Sequence, residues 1–458
     1  MNLKTILIKA IPIITVLGVL LMFLSLKYGL LDGFFYDSVN VHVQGIDYFA
    51  LPKSFLNLMD GISAYDTWGG RPYGPYATWY LAHPAFTVFV ASWFSFFSPW
   101  TSYWLFVVFS VILLIYAGRL IANNTDSILK KRLSYLLILC AFPTYWLLYV
   151  GNMHAPLILA LVFIFAALYQ FSNANEALEI KKANGNLYAG LLISFFTKPI
   201  VLLMLPVLLL CKQTRKTTFI SLLIYAVVSI LFIVVPALNP EGVGLSKLSH
   251  VMFDFDYIKS TMNIYKNNFV LNEYMKDNSI HWLNLIAQSD YRLMHVDVFS
   301  LPVFTDTLLG RQLNAGIYKI PIYITLVLSC LVPFIKDQKV KFQAMLLLVM
   351  AISLTFFLSY NTVWEYQYSA ALPLIAFLPI LWDNNVFYKN NIPAAFLTGL
   401  FFYLPSFYFL VKGRSLNTGL LTIIHLDRVM PALVLFILLL IPIVTVVTKQ
   451  LIKPILKR

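Results

Sequence analysis

The sequence predicts an all-α polytopic membrane protein with about 12 transmembrane segments. Of the 458 residues, 60% are hydrophobic and 12% are charged, and the mean hydropathy is +0.78. The hydrophobic residues also occur in runs of about 20, the length that a helix needs to cross a bilayer. We place ten spans near residues 8–30, 101–121, 134–150, 154–172, 218–236, 319–335, 342–359, 368–382, 392–411 and 429–447.

The first apolar stretch, Ile11–Leu26, follows Lys4 and Lys9. Because no small-residue cleavage site comes after it, we expect an uncleaved first span rather than a signal peptide. The cysteines lie in or beside apolar runs, so we expect neither a disulfide framework nor a metal-binding spacing. They are Cys140, Cys211 and Cys330.

The topology of two further apolar stretches, 76–98 and 188–211, is predicted from the positions of the basic residues around them. Counting both as single spans would place Arg119 and Lys130–Arg132 outside, against the positive-inside rule. We therefore predict that 76–98 is an interfacial or re-entrant helix on the outer side. The stretch 188–211 becomes a hairpin of two short helices, broken at Lys198-Pro199 near the outer face. These two short helices complete the count of about 12.

This topology accounts for the formal net charge of +13. The inner segments hold 19 basic and five acidic residues, whereas the outer segments are nearly neutral. The basic excess is therefore a topology signal, and nucleic-acid binding is excluded. We predict a multi-pass protein of the cell (inner) membrane with both termini in the cytoplasm. Residues 1–458 form one membrane domain: a module at 1–236 with a first outer loop at 32–100, a large outer loop at 237–318, and a C-terminal transmembrane module at 319–458.

Lys198 and Pro199 interrupt the apolar run from Tyr188 to Cys211. A lysine at mid-bilayer costs about 2.5–3.5 kcal/mol on insertion scales, so it is expected at a protein-lined or aqueous site. Pro199 breaks the helix beside this cation because it has no backbone N–H. A broken helix that presents a cation can bind a lipid phosphate. The alternative is a lysine that extends to the membrane surface from an ordinary span.

Two elements of the first outer loop carry polar side chains. Asp47 stands close to the predicted membrane surface, where a carboxylate can act as general base on a hydroxyl or cap the following helix. Further along, Tyr65 and Asp66 precede a turn rich in glycine and proline that contains Arg71 and Tyr73. Arg71 offers a forked donor to phosphate and the aromatic rings can stack on sugars. The alternative for this second element is a plain turn.

Two later turns also carry polar side chains on the outer side. Asn152 and His154 lie in a tight turn between two spans, where they can bind a ligand or cap a helix. Near the start of a late span, an aromatic-flanked carboxylate and amide form a candidate clamp for sugar hydroxyls. The alternative is a carboxylate that complements the helix dipole. This last element consists of Trp364, Glu365, Tyr366 and Gln367.

The order of these elements resembles that of GT-C superfamily integral-membrane glycosyltransferases. The likeness is closest to polyprenol-phosphate-mannose-dependent α-mannosyltransferases of the phosphatidylinositol mannoside type. Asp47 with the turn at 71–76 resembles their first outer loop, and Ala189–Pro199 resembles a segment that ends in Thr-Lys-Pro. Trp364–Tyr368 resembles their Trp–acid–His–His stretch. Gly151–Leu157 resembles, more loosely, a turn of aminoarabinose and protein O-mannosyl transferases.

The resemblance implies a GT-C-like fold and an inverting transfer of a mannose-like hexose. The donor would be a polyprenyl-phosphate sugar, and the acceptor a glycolipid or glycan at the extracytoplasmic face. Asp47 would be the general base, while Lys198 and Arg71 would meet the donor phosphate. The expected substrate-binding residues are Tyr65, Asp66, Tyr73, Asn152, His154, Trp364, Glu365, Tyr366 and Gln367.

Two departures from the family pattern concern metal binding. Asn152 or His154 stands where some relatives have a second acid, and Tyr366 and Gln367 replace a pair of histidines. We therefore expect no metal ligands and no cofactor; a divalent cation stays open but has no support in the sequence. The sugar also stays open.

Two other classes of function compete with this interpretation. A polysaccharide polymerase or ligase would use a lipid-diphosphate donor and several arginines in its large loop, but 237–318 contains only Arg292 and Arg311. A lipid-linked oligosaccharide flippase or secondary transporter would show paired repeats and ionisable residues at mid-membrane. The sequence shows neither clearly, so a glycosyltransferase is preferred.

Overall fold

The computed structural model describes residues 3–31, 44–60, 62, 64, 70–75, 83–174, 176–198, 200–237, 299–309, 313–360, 363–384, 391–410 and 418–452. Within these ranges, the regular elements are helices and none is a strand. The principal helices are α1 (Leu3–Tyr28), α2 (Ala50–Met59), α3 (Pro84–Ser95), α4 (Pro99–Ala122), α5 (Ile128–Leu139), α6 (Phe142–Val150), α7 (His154–Asn173), α8 (Ala177–Phe196), α9 (Ile200–Leu210), α10 (Lys212–Ala237), α11 (Leu301–Leu309), α12 (Ala315–Tyr318), α13 (Ile320–Leu331), α14 (Gln338–Ser359), α15 (Leu372–Asn384), α16 (Asn391–Gly399), α17 (Phe407–Leu410) and α18 (Thr418–Val447). The predicted class, an all-α polytopic membrane protein, is confirmed.

In the described part of the chain, seven helices are long and apolar enough to cross a membrane. An eighth span results if α5 and α6, which meet at 41°, count as one. This count is lower than the predicted 12 because α9, α15 and α16 are short. In addition, α8 carries Glu179, Lys181 and Lys182 near its start. The predicted single span at 134–150 is the bent pair, and Pro143 lies just after the bend.

Helices α7 and α14 form the centre of the bundle. The buried share of the apolar window is 94% in α7 and 89% in α14, but 11% in α1 and in the Lys212–Phe232 part of α10. Exposed apolar side chains such as Ile13 and Val16 on α1 suit contact with lipid tails. The central helices are therefore surrounded by protein, whereas α1 and α10 face the hydrocarbon.

Helices α7 and α8 pack closely because of one glycine. A Cβ added at Gly190 would lie 2.7 Å from the backbone oxygen of Ala160 on α7. Any larger residue at 190 would push the two helices apart. This close approach matters because the first residue of α7 and the residues just after α8 both belong to the candidate site.

The helix break predicted at Lys198 is present. Helix α8 ends at Phe196, and α9 begins at Ile200. Thr197 Oγ1 donates to Ile193 O at 2.6 Å, and Ser194 Oγ donates to Lys198 O at 2.7 Å. These hydroxyl groups donate to backbone oxygens at the helix end, so α8 can end here without leaving those oxygens unpaired.

The stretch predicted to lie at the interface contains the short helix α3. Its 12 residues extend about 18 Å, well short of the ~30 Å hydrocarbon core. His83 caps its start, because Nδ1 accepts a hydrogen bond from Ala85 N at 3.0 Å. The length of α3 agrees with the prediction of a segment that does not cross the bilayer.

Some predictions lie outside the described residues. Tyr65 and Asp66 are among them, as is Pro199. Most of the large loop predicted at 237–318 also lies outside, and its described part includes α11 and α12.

Candidate active site

The turn that carries Asp47 is held by main-chain hydrogen bonds to the end of α6. Gly45 N donates to Tyr149 O at 2.7 Å, and Asp47 N donates to Val150 O at 2.9 Å. Tyr103 on α4 supports the same helix end, because its hydroxyl donates to Tyr149 O at 3.2 Å. The backbone therefore positions the Asp47 carboxylate relative to α6.

Two glycines permit this docking. Gly45 has φ 76° and Gly151 has φ 73°, a left-handed conformation that residues with a Cβ rarely adopt. Gly151 ends α6, and a Cβ there would lie 2.4 Å from Tyr48 Cβ. The turn at 44–49 can approach the helix end this closely because residue 151 has no side chain.

Asn152 connects the carboxylate to the lysine. Its Nδ2 donates to Asp47 Oδ2 at 2.7 Å, so its Oδ1 points away as an acceptor. This Oδ1 accepts from Lys198 Nζ at 3.3 Å and lies 2.7 Å from His154 Nδ1. Asp47 and Lys198 are therefore joined through the Asn152 amide.

The position of the proton on His154 follows from this network. Because Asn152 Oδ1 can only accept, His154 Nδ1 must carry the proton of their 2.7 Å hydrogen bond. Lys198 Nζ lies 3.3 Å from the same Nδ1, but two donors cannot form a hydrogen bond with each other. The ammonium thus uses one of its three N–H groups on Asn152 and keeps donor capacity for a ligand.

Tyr366 brings the late element of the chain to these residues. Lys198 Nζ lies 5.9 Å from the centre of the Tyr366 ring, and the His154 ring meets it edge-on at 5.3 Å. The Tyr366 side chain also hydrogen-bonds to Asp47. Trp364 stacks on Tyr366 with ring centres 6.2 Å apart. We call the group thus assembled from four separate segments the Asp47 cluster: Asp47, Asn152, His154, Lys198 and Tyr366.

Burial shifts the pKa values of the two charged groups in opposite directions. It raises the pKa of the Asp47 carboxyl, while the Asn152 hydrogen bond, the Lys198 charge and the Tyr366 hydrogen bond act against this rise. Burial lowers the pKa of Lys198 to about 8, and the charge of Asp47 opposes the change. Both side chains nevertheless remain partly exposed. The cluster therefore offers a ligand a carboxylate of increased basicity beside a cation.

Two residues predicted in the first outer loop make other contacts. Arg71 Nε binds Asp60 Oδ2 at 2.7 Å, and its side chain is 58% exposed. Asp60 directly follows α2, so this contact ties the turn that carries Arg71 to the end of that helix. Tyr73 is buried and its hydroxyl donates to Phe97 O at 2.9 Å, which ties the turn at 70–75 to the end of α3.

Glu365 and Gln367, two further predicted residues, have partners within the protein. Glu365 is buried with Arg428, whose Nε and Nη2 lie 2.9 Å and 2.5 Å from its two carboxylate oxygens. Gln367 Oε1 accepts from Trp364 N at 3.0 Å and so caps the turn that follows. The geometry thus favours structural contacts for Glu365 and Gln367.

Arg428 is the residue that the sequence analysis missed. The predicted spans place it in the connection between 392–411 and 429–447, but it lies within α18 and is 1% exposed. The available signal was an arginine beside a long apolar run, where a cation requires a partner. The partner is a carboxylate 63 residues earlier in the chain, and the spacing of residues in the sequence does not identify it.

Among the described residues, no three His, Cys, Asp or Glu side chains come together in a way that could hold a metal ion. In the Asp47 cluster, the side chains of these types are Asp47 and His154, and the Asn152 amide joins them. The expectation that the protein has no metal ligands therefore stays a prediction.

The fold and the cluster define a multi-pass membrane protein with an acid and a cation in one partly exposed site. The model of glycosyltransferase family 87 matches residues 80–272. The matched stretch contains Asn152, His154 and Lys198, whereas Asp47 and Tyr366 lie outside it. No curated protein and no solved structure matches the chain. The family match supports a membrane glycosyltransferase.

Proposed function

We propose that this protein transfers a mannose-like hexose from a polyprenyl-phosphate sugar to a glycolipid or glycan acceptor, with inversion at the anomeric carbon. The observation that carries the proposal is the Asp47 cluster, in which a general-base candidate and a phosphate-binding candidate are joined through Asn152. The family match supports the glycosyltransferase class. The choice of donor, sugar and acceptor is our inference.

The proposed step is a single displacement. The acceptor hydroxyl oxygen forms a bond to the anomeric carbon as its proton passes to the Asp47 carboxylate. The bond between the anomeric carbon and the phosphate oxygen breaks, and polyprenyl phosphate leaves with the electron pair. Because attack comes from the face opposite the leaving group, the configuration inverts.

Lys198 is suited to the leaving group. A phosphate diester leaves as a weakly basic anion, so stabilisation of negative charge matters more than protonation of the leaving oxygen. The ammonium keeps N–H groups free after its bond to Asn152, and the surrounding protein strengthens its interaction with an anion. These features favour a donor with one phosphate, which a single lysine can neutralise.

The stacked rings of Trp364 and Tyr366 support a sugar as the transferred group. Aromatic faces bind the apolar faces of pyranoses, and the Tyr366 ring lies beside Lys198. Tyr366 is buried, so a hexose would rest on the exposed part of Trp364, with its anomeric carbon near the donor phosphate. The extracytoplasmic position of the site rests on the distribution of basic residues along the chain.

The test is transfer by the purified protein in detergent, with a panel of radiolabelled polyprenyl-phosphate sugars and a glycolipid acceptor mixture. We expect labelled product from a polyprenyl-phosphate hexose, with inverted anomeric configuration, and no requirement for a membrane gradient. Nucleotide sugars and lipid-diphosphate sugars serve as comparison donors. Transfer from one of these but from no lipid monophosphate would contradict the proposal.

A further inference from the structure

The ion pair between Glu365 and Arg428 lies directly behind the Asp47 cluster. Arg428 Nε is 2.9 Å from Glu365 Oε2, and Nη2 is 2.5 Å from Oε1. Both side chains are 1% exposed. A pair buried this completely is not available to a sugar hydroxyl, so its effect on the reaction must pass through another residue.

Arg428 binds a third segment of the chain as well. Its Nη2 donates to Leu404 O at 2.6 Å, and its Nη1 donates to Phe401 O at 3.3 Å. The planar guanidinium thus joins α18, the turn after α16 and the segment that begins at Glu365. Lysine has a single ammonium group and cannot reproduce this forked set of contacts.

The segment beginning at Glu365 leads straight into the candidate site. Glu365 is the first residue of a 3-10 turn that ends at Ala371. Tyr366, the second residue of this turn, contacts Asp47, His154 and Lys198. The turn is also fixed further on, because the Tyr368 hydroxyl donates to Phe299 O at 2.5 Å. Glu365 and Tyr368 therefore hold the turn on either side of Tyr366.

We infer that Arg428 is a positioning residue: through Glu365, it holds Tyr366 against Asp47, His154 and Lys198 and so limits the access of water to Lys198. The role in transfer rests on the proposed function, whereas the effect on Lys198 does not. The titratable groups that face Lys198 are Asp47, His154 and Tyr366. If Tyr366 is released, the partly exposed ammonium becomes more accessible to water and the lysine becomes easier to protonate.

The test measures Lys198 directly, by competitive acetylation with acetic anhydride across a pH series and mass spectrometry of the Lys198 peptide. In the wild-type protein we expect a labelling midpoint near pH 8, because burial lowers the pKa of Lys198 to about 8. The variant is Glu365→Gln with Arg428→Met, which removes both buried charges together. Its midpoint should rise by about one pH unit or more as the site opens to water.

Two comparison variants make the result specific. Arg428→Lys keeps the charge without the fork and should give an intermediate midpoint. Lys182→Met removes an exposed cation from α8 and should leave the midpoint unchanged. A double variant that elutes as a single folded species with the wild-type midpoint would overturn the inference. If the double variant does not fold, an unchanged midpoint in Arg428→Lys overturns it instead.

Transfer measured on the same proteins separates this inference from the proposed function. A shifted midpoint together with a loss of at least about tenfold in kcat/KM for the donor is the expected result. If the double variant shows a shifted midpoint but the wild-type protein transfers no polyprenyl-phosphate sugar, the proposed function is refuted and the positioning role is not. Normal transfer with an unshifted midpoint would refute the positioning role alone.

Discussion

Asp47 and Lys198 share one environment and respond to it in opposite ways. Burial favours the neutral form of each group, so the pKa of the acid rises and that of the lysine falls. Each charge also stabilises the other and so opposes part of its partner's pKa shift. A substitution at either position therefore changes both the chemistry at that atom and the protonation of its partner.

Asp47→Asn tests the general base. Asparagine retains the size of the side chain but cannot accept the proton of the acceptor hydroxyl. We expect transfer to fall by roughly 10²–10⁴-fold while the protein still folds. The matched control is Asp126→Asn, because Asp126 is exposed in the connection between α4 and α5. Near-normal transfer by a folded Asp47→Asn protein would leave Asp47 as a structural partner of Asn152.

Lys198→Met and Lys198→Arg test the phosphate ligand. Methionine keeps an apolar stem but no charge, so donor affinity should drop by roughly tenfold or more in a low-dielectric site. Arginine should restore only part of it, because a planar fork does not replace a compact ammonium. Binding of labelled polyprenyl-phosphate sugar to the detergent-solubilised proteins is the measurement, with Lys182→Met as control. Equal affinity in wild type and Lys198→Met would exclude this role.

The pH dependence of transfer should report the same lysine. Its pKa is lowered to about 8, so the ammonium is present below that pH and is lost above it. We expect kcat/KM for the donor to fall by about tenfold per pH unit above pH 8. Lys198→Arg should lack this fall, because a guanidinium stays protonated in that range. A wild-type profile that stays flat to pH 10 would contradict the assignment.

Helix ends determine where the side chains of the site lie. Helix α6 ends at Gly151, α7 begins at His154, and α8 breaks before Lys198, so three neighbouring termini contribute to one cluster. Termini expose backbone groups and leave room for a ligand, whereas helix interiors do not. The precision of the site therefore depends on how closely these ends pack.

Gly151→Ala tests that packing, with Gly185→Ala as its control. At position 151, alanine must adopt φ 73° and place Cβ 2.4 Å from Tyr48 Cβ. The backbone alone should cost about 1–2 kcal/mol, and transfer should fall as the Asp47 turn shifts. Gly185 has no heavy atom within 4 Å of an added Cβ, so alanine there should stabilise α8 by up to ~1 kcal/mol. Thermal unfolding in detergent measures both variants, and equal midpoints would contradict the account of Gly151.

The whole molecule has a predicted orientation that can be tested by cysteine accessibility. Ser98 and Ile128 are both exposed and lie near opposite ends of α4. In a background without the three native cysteines, Ser98→Cys should react with a membrane-impermeant maleimide in intact cells. Ile128→Cys should react only after the membrane is opened. Labelling of Ile128→Cys from outside would invert the proposed topology.

The sequence predicted much of this architecture, and the failures have physical causes. Hydropathy located most of the helices, and a proline beside a lysine located the break after α8, because both effects act along the chain. The contact between Asp47 and Asn152 and the contact between Glu365 and Arg428 depend on how helices pack, which a single sequence does not encode in its spacing. The contact between Arg71 and Asp60 could not be predicted for the same reason, and the proposed role of Arg71 in phosphate binding stays a prediction.

The main-chain anchoring of the Asp47 turn has a consequence for how the site can change over evolution. Because Gly45 and Asp47 are held through backbone atoms, the position of the carboxylate depends on the course of the main chain at this turn. Divergence should therefore be slow at Gly45, Asp47 and Gly151. In distant homologues, a glycine two positions before an acid, and a second glycine at the end of a later helix, would mark this site where overall similarity has been lost.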